Sequence, residues 1–511
     1  MGKSSLENDK AEFDARDASS LSLPAAAHEA PETVADTGEG KLKMIVGLIK
    51  KCLGVKDIAT MRISLPASVL EPIPNLEYWN YLDRPDVFAA VGDSDDPLLR
   101  MLAVLRFSFT KDLKFVHGKI CKPYNSVLGE HFRSHTSFAP LSYPSDPNLP
   151  PIFPSHTLTT QSVTLAIPEP TVPSETASVR STISTSGPNA ARSKHKLSGD
   201  FGAGLGADGE EDAFEDAEDG QTNGDRVRVV FLTEQVSHHP PISSYYITAS
   251  ERGVEACGVD QISAKVSGTT VRVTPGTSNK GIFIKLNKGP GAGETYRITH
   301  PSANVNGIFR GQFYATMSDS TVITCDRPGK DSLRALIEYK EESWIGKAQF
   351  LVEGVIHTYD PSDPDECSSW TKVKQVPASR VVATFDGTWR TLIKWKRAGE
   401  TESRPLIDLT HLAVLPKHVR PVESQLPNES HRLWEHVTKN LLAKNYNEAT
   451  RVKQGIEQKQ RDDAATRKAK GEEFVPVYFE PDITTGQPQL TDEGRKAIEQ
   501  ELSLAASTPL S

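Results

Sequence analysis

A chain of 511 residues can bury one large core or two ordinary ones, yet only 37% of it is apolar, so part of it falls outside any packed core. The formal net charge is −9, and the ten acidic residues between Asp200 and Asp225, with no basic one among them, account for it; the near-neutral remainder argues against nucleic acid as a partner. The five cysteines (Cys52, Cys121, Cys257, Cys325, Cys367) are widely spaced and form no C-x-x-C, which argues against a disulfide framework or a zinc site and for a reducing compartment.

Taken in chain order, residues 1–40 are Ala/Glu/Asp/Ser-rich and aperiodic, so they are predicted to be disordered. There is no apolar signal core, and the longest apolar run, Met44 to Ile49, is too short to span a bilayer. The expectation is a cytosolic chain that meets membranes only from outside. In KLKMIVGLIKKCLG (41–55 with its flank), Leu42, Ile45, Val46, Ile49 and Leu53 follow helical spacing, with Lys50 and Lys51 near the end. Such a segment is either a short core helix or an amphipathic lid that touches lipid. PLLRMLAVLRFSF, after Asp95-Asp96-Pro97, reads as a helix. Residues 138–225 are Pro/Ser/Thr-rich and then Gly/Asp/Glu-rich, and read as a disordered acidic insertion into one domain.

Strand signals fill 226–400: RVRVVFLTEQVS, ISAKVSGTTVRVTP, GIFIKLNKG, STVITCD, SLRALIEYK, AQFLVEGVIHTYD and WRTLIKWKR alternate between Gly-, Pro- and Asp-rich breaks. That spacing predicts an antiparallel sheet or barrel, and a large barrel can enclose a ligand. A proline-free, highly charged stretch over 429–471 reads as one C-terminal helix, EEFVPVYFEP returns extended, and 486–511 reads as a loose tail.

Three stretches carry chemistry. In EQVSHHPPISSYY, His238 and His239 end a strand and prolines follow. Adjacent strand residues point to opposite faces, so only a corner lets both rings converge. A metal site lacks further ligands there, and a general base lacks an identifiable nucleophile; a phosphate clamp or plain structural hydrogen bonds remain open. In CKPYNSVLGE, Lys122 and Asn125 flank a Pro-Tyr turn and offer an ammonium and an amide, or make an ordinary surface turn. Lys453, Glu457 and Arg461 stand four apart, a helix stripe about 80° wide and about 12 Å long, which taken alone is equally a solvated face.

EQVSHHPP, KPYN-x-x-LGE and K-x-x-x-E-x-x-x-R occur here in the order seen in the oxysterol-binding protein family, which this chain resembles over roughly Ser64 to Glu480. It departs from the family pattern in the insertion and at Ser126, where many members have proline. The resemblance implies a β-rich α+β fold within 41–485. That fold is a large incomplete antiparallel β-barrel around a lipid tunnel, with N-terminal lid and plug helices and a C-terminal helical subdomain. It implies a short member without pleckstrin-homology or ankyrin modules, and a lipid carrier rather than an enzyme, with bound lipid in place of a cofactor. A sterol or phosphatidylserine would compete for the tunnel with phosphatidylinositol 4-phosphate, whose head group would contact Lys122, Asn125, His238, His239, Lys453, Glu457 and Arg461. Glu457 would hold both helix cations in position. SLPASVLEP (64–72) is more similar to the phosphatidylserine-carrying members. The alternatives are a static lipid sensor and a His-dependent hydrolase. EEDAFEDAED (210–219) resembles an FFAT-type motif through Phe214, Asp216 and Ala217, although Glu215 stands where a second aromatic often lies. It implies docking on VAMP-associated proteins of the endoplasmic reticulum and a peripheral location there or at another membrane contact site, or else it is a plain acidic loop.

Overall fold

The computed structural model describes residues 46–47, 54–55, 57–58, 70–117, 122–159, 226–267, 270–307, 314–327, 332–342, 348–363 and 365–507. Sixteen strands are described. They are β1 (His131–Phe138), β2 (Val227–His238), β3 (Pro241–Ala249), β4 (Val254–Asp260), β5 (Ile262–Ser267), β6 (Thr270–Pro275), β7 (Ile282–Leu286) and β8 (Thr295–Ile298). After them come β9 (Ser302–Asn306), β10 (Tyr314–Ser318), β11 (Ser320–Asp326), β12 (Ser332–Tyr339), β13 (Leu351–Tyr359), β14 (Val381–Thr388), β15 (Leu392–Arg397) and β16 (Arg404–Asp408). Twelve of them form one sheet in the order β1-β2-β3-β4-β7-β8-β11-β12-β13-β14-β15-β16, and β10-β9-β6-β5 form a second.

Alternation decides what each face of the large sheet meets. Val227, Val229 and Phe231 of β2 point into the main core, while Val230 and Leu232 point outward against Tyr478, Phe479, Ala497 and Ile498. In the same way Leu333, Ala335 and Ile337 of β12 face inward and Leu336 faces outward toward Val355 and Val376. β1 and β16 each pair on one side only, so the barrel is incomplete. The chain beyond β16 crosses to β1, where His135 and His418 exchange backbone hydrogen bonds of 3.0 and 2.8 Å.

Two short helices, α1 (Asn75–Tyr78) and α2 (Pro85–Ala89), precede the main inner helix α3 (Pro97–Thr110). Asp96 caps α3 by accepting from the Leu98 N–H at 2.7 Å, and Pro97 stands at its first position. Nearly every side chain of α3 is buried, because the sheet surrounds it. Its two arginines are satisfied internally: Arg100 pairs with Glu294 of the turn before β8, and Arg106 donates to the Leu406 carbonyl at 2.9 Å. A one-turn helix α4 (Lys114–His117) follows.

Several boundaries differ from the sequence reading. The sheet is wider than 226–400, since β1 and β16 lie outside that span. β1 reads HFRSHTSF, without apolar alternation, because its polar side chains are buried against other polar groups. Residues 139–159 of the span read as an insertion are anchored to the domain, Tyr143 donating to Asp93 at 2.9 Å and Trp395 to the Asn148 carbonyl at 3.2 Å. A proline-rich segment needs few backbone partners, so it packs without a periodic pattern. Residues 160–225, with Phe214, Asp216 and Ala217, lie outside the described residues, as do Leu42, Ile45, Ile49, Lys50 and Lys51; Val46 is helical and half-buried. The 429–471 stretch is two helices, α5 (Ser430–Leu442) and α6 (Tyr446–Lys470), separated at Lys444, whose φ is 60°.

The tail is not loose. Helix α7 (Asp492–Ala505) covers the outer face of β2 with Ala497 and Ile498. Its Glu501, 1% exposed, lies 2.9 Å from His135 Nδ1, 3.2 Å from Arg420 Nε and 3.6 Å from Arg133 Nε. Removing one member of a buried ionic cluster strands the others and costs about 3–5 kcal/mol. Glu501→Ala should therefore lower the unfolding free energy by that amount in denaturant titration, whereas a substitution in a loose tail would change it by less than about 0.5 kcal/mol.

Candidate functional site

The histidine corner is a hairpin tip. His238 is opposite Pro241 in the β2–β3 register, leaving His239 and Pro240 as the turn, and the His239–Pro240 peptide is cis. The register shifts between Gln235 and Ser237. That irregularity is held by Gln235 Nε2 donating to the Ser237 carbonyl at 2.7 Å and by Ser237 Oγ donating to the Pro240 carbonyl at 2.8 Å. The tip breaks the two-residue alternation, and the imidazole centroids come within 4.5 Å at an interplanar angle of 63°. His238 is half-buried and His239 exposed.

The second stretch is a loop stitched to the chain before it. The Glu71 N–H donates to the Lys122 carbonyl at 3.0 Å and the Tyr124 N–H to the Ile73 carbonyl at 3.1 Å. Lys122 Nζ donates to Asn125 Oδ1 at 2.7 Å and to the Pro123 carbonyl at 3.1 Å, so the two expected ligand groups are already partners.

Glu130 ties this loop to the rest. Its side chain is fully buried; Oε2 accepts from the Val127 N–H at 3.0 Å and Trp434 Nε1 at 3.1 Å, and Oε1 accepts from Ser430 Oγ at 2.7 Å. Its backbone carbonyl accepts from the Gln235 N–H at 2.8 Å, and the Gly129 N–H donates to the Gln235 carbonyl at 2.9 Å. The end of the loop thus pairs with the strand that ends in the two histidines, prolonging the β1–β2 ladder. Burial pushes the Glu130 carboxyl up to about 7 against the pull of its three donors.

Ser430 and Trp434 belong to α5, so Glu130 also fixes the helices. Tyr124 packs on Trp434 with 5.0 Å between ring centroids and shares a 3.0 Å hydrogen bond with Thr438. Leu441, Ala449, Val452 and Ile456 extend this cluster from α5 to α6. Lys453 is thereby buried, its side chain 3% exposed, with Nζ 2.5 Å from Glu457 Oε1. Arg461 lies on the exposed part of α6, and its guanidinium donates to Gln458 Oε1 at 3.0 and 2.8 Å. Glu457 holding both cations is therefore corrected: it takes Lys453, and Gln458 takes Arg461, because α6 turns Arg461 toward solvent.

Beyond α6 the chain returns to the loop. A Cβ on Gly129, whose φ is +77°, would stand 3.3 Å from the Phe474 ring. Glu234 accepts from the Val477 and Tyr478 N–H groups, each at 2.8 Å, and burial raises its carboxyl above the usual range. Sequence reasoning missed Glu130 and Glu234 as organisers, although both lie in the quoted motifs. The available signal was an acidic residue inside an otherwise apolar strand or at its start, which needs several donors to be buried. Among the described residues no group of three or more His, Cys, Asp or Glu side chains is placed to hold a metal ion.

A wide incomplete antiparallel sheet wrapped around a buried helix defines a large β-barrel protein. The family model of the oxysterol-binding proteins matches residues 44–145 and 213–497, and the chain belongs to that family. The unmatched gap lies inside the span read as an insertion. Oxysterol-binding protein-like protein 1 of Schizosaccharomyces pombe is 42% identical over 483 residues, covering 91% of this chain and 92% of that protein. The fold is similar to those of two solved ORD structures. One is Osh1 in complex with ergosterol (TM-score 0.53, 17% identity, 89% and 88% of the two chains). The other is Osh3 of Saccharomyces cerevisiae in complex with PI(4)P (TM-score 0.52, 14% identity, 90% and 93%).

Two predictions follow from this geometry. An acid with a pKa of about 7 when folded and 4.5 ordinarily keeps its proton in the folded chain while the unfolded chain loses it. Its contribution therefore falls as pH rises from 4.5 to 7. Glu130→Gln mimics the protonated acid, so the stability difference should move in the variant's favour between pH 5 and pH 8; a pH-independent difference contradicts the burial of an ionisable carboxyl. Separately, Lys453→Ala should cost about 1–3 kcal/mol by leaving Glu457 without its closest cation. Arg461→Ala should stay within about 0.5 kcal/mol. Equal losses in denaturant titration would overturn the assignment of one buried and one exposed cation.

Proposed function

We propose that the chain is a lipid carrier that takes phosphatidylinositol 4-phosphate by its head group and exchanges it for a second lipid, a sterol or phosphatidylserine. The observation that carries this reading is the convergence of His238 and His239 at a hairpin tip bonded, through Gln235, to the loop of Lys122 and Asn125. Lys453 and Arg461 add cationic donors from α6, and Glu457 faces Lys453 as a competitor that a phosphate would displace or an acceptor for an inositol hydroxyl. A solved relative of the same fold is in complex with PI(4)P and another with ergosterol.

The energetics favour recognition by the head group. An acyl chain leaves a bilayer to enter the barrel, and each methylene is worth about 0.8 kcal/mol relative to water in either place. The apolar interior therefore has little advantage over the membrane. A phosphate monoester carries nearly two negative charges and is costly to withdraw from water unless it is paired and hydrogen-bonded. Selectivity then resides in the polar rim. In this reading the amphipathic segment with Leu42, Ile45, Val46, Ile49, Lys50 and Lys51 closes the entrance and meets anionic membrane. The stretch with Phe214, Asp216 and Ala217 docks on a VAMP-associated protein at the endoplasmic reticulum.

The test is extraction of labelled phosphatidylinositol 4-phosphate and labelled sterol from liposomes, side by side. Each charge-assisted hydrogen bond is worth about 1.5–3 kcal/mol. Replacing both His238 and His239 by Ala should weaken phosphoinositide extraction by about a hundredfold or more and leave sterol extraction intact. Unchanged phosphoinositide extraction by the double variant rejects the site.

A further inference from the structure

The large sheet places another cation at the end of the barrel that carries the histidine tip. β2 runs toward that tip, and neighbouring strands are antiparallel all the way from β2 to β15. β14 therefore runs the same way as β2, and the turn after it, with Trp389 and Arg390, stands at the same end. The guanidinium of Arg390 points inward. Its Cζ lies 4.2 Å from the ring centroid of Phe350 and 5.4 Å from that of Trp389, both members of the main core. Its Nη2 donates to the Phe115 carbonyl at 3.1 Å. Phe115 belongs to α4, just past the inner helix, and its ring lies 6.0 Å from Tyr78 and 5.7 Å from Trp79. Pro74, immediately before α1, bridges to Tyr124 in the loop of Lys122 and Asn125. Arg390 thus sits between the barrel wall and the inner helices, joined to that loop through Phe115 and α1.

The charge of Arg390 is not answered there. Among the described residues it forms no salt bridge. The carboxylate that acts on it, Glu342, accepts instead from the Gln349 and Phe350 N–H groups at 2.7 and 2.8 Å. Beyond the bond to Phe115, Nε and Nη1 have no hydrogen-bond partner among the described residues; Nε is covered and Nη1 is not. The residue is only half-buried, yet loss of hydration, partly offset by Glu342, holds its pKa below the usual arginine value. The surface it keeps therefore faces the enclosed mouth of the barrel rather than open water. A desolvated cation without an anion is unfavourable. We propose that Arg390 is a further anion contact of the lipid site, taking the phosphodiester that joins the head group to glycerol. This rests on the reading of the chain as a phosphoinositide carrier and adds a specificity determinant to it. Phosphatidylinositol 4-phosphate carries a monoester and a diester, and the histidines, Lys122 and the α6 cations answer the monoester. The diester stands between the head group and the acyl chains, so it enters the mouth from the rim. A guanidinium binds phosphate oxygens in a charge-assisted fork. Phosphatidylserine offers the same diester and a sterol has none.

Two variants separate the charge of Arg390 from its packing. Arg390→Gln removes the charge and keeps a donor for the Phe115 carbonyl, while Arg390→Lys keeps the charge and loses the fork. The measurement is extraction of labelled phosphatidylinositol 4-phosphate, phosphatidylserine and sterol from liposomes by the full chain. For Arg390→Gln the expected result is phosphoinositide extraction weakened about tenfold or more, as for one lost charge-assisted bond. Phosphatidylserine, where the wild type extracts it, should weaken alike, and sterol extraction should stay unchanged. Arg390→Lys should fall between the wild type and Arg390→Gln for the phospholipids. Wild-type phosphoinositide extraction by Arg390→Gln overturns the proposal. An equal loss for sterol does so too, since it marks a distorted mouth, and so does a loss for phosphoinositide with phosphatidylserine retained, since that moves the contact to the monoester. The His238/His239 double alanine variant run in parallel tells the two levels apart. If it loses phosphoinositide while Arg390→Gln does not, only the role of Arg390 fails; if it extracts normally while Arg390→Gln loses phospholipid, the head-group site fails and the diester contact stands.

Discussion

The arrangement depends on one buried carboxyl. Glu130 accepts from the loop that carries Lys122 and Asn125, from Ser430 and from Trp434 of α5, while its backbone pairs with the strand that ends at His238. Segments more than a hundred residues apart in sequence are thereby held in one register. A fully buried carboxyl is tolerated because both its oxygens face donors, three in all, and its raised pKa records the remaining cost. When protonated, Oε1 can donate to Ser430 Oγ, which also lies 3.2 Å from the His131 carbonyl and can donate there, so the neutral form is accommodated as well.

The groups proposed to hold the head group are paired in this structure. Lys122 rests on Asn125, Lys453 on Glu457, and Arg461 on Gln458. Under the proposed function, an arriving phosphate would replace these partners rather than water alone, and its binding would be an exchange of ion-pair and amide contacts. Such an exchange discriminates sharply: only a group with more charge than an amide or a shared carboxylate gains by it. The apolar interior does not discriminate in this way, since its walls offer little beyond what a bilayer offers.

Much of this was legible in the sequence. The seven alternating runs between 226 and 400 became β2, β5, β6, β7, β11, β12, β13 and β15, and Asp96-Pro97 starts the inner helix where the capping pattern places it. Each of the histidine, Lys122–Asn125 and Lys453–Glu457 pairs forms a contact, and Glu130 links the elements that bear them. What was not legible has a common cause. β1 is polar and buried, α7 is charged and docked through Glu501, and the anchored proline-rich segment 139–159 forms no strand or α-helix. In all three the stabilising contacts are with residues far along the chain, and no local period reveals them. The break at Lys444 was hidden because a left-handed residue other than glycine or asparagine gives no compositional signal.

The most direct test of the central claim is an imidazole NMR titration of the full chain with a short-chain phosphatidylinositol 4-phosphate. The claim is that one phosphate site is built from the hairpin tip and the linked loop and helix. A phosphate beside His238 and His239 stabilises their charged forms, so both rings should shift with the same saturation curve and titrate at higher pH in the complex. Binding that leaves both imidazoles at their ligand-free positions and pKa values would contradict the account.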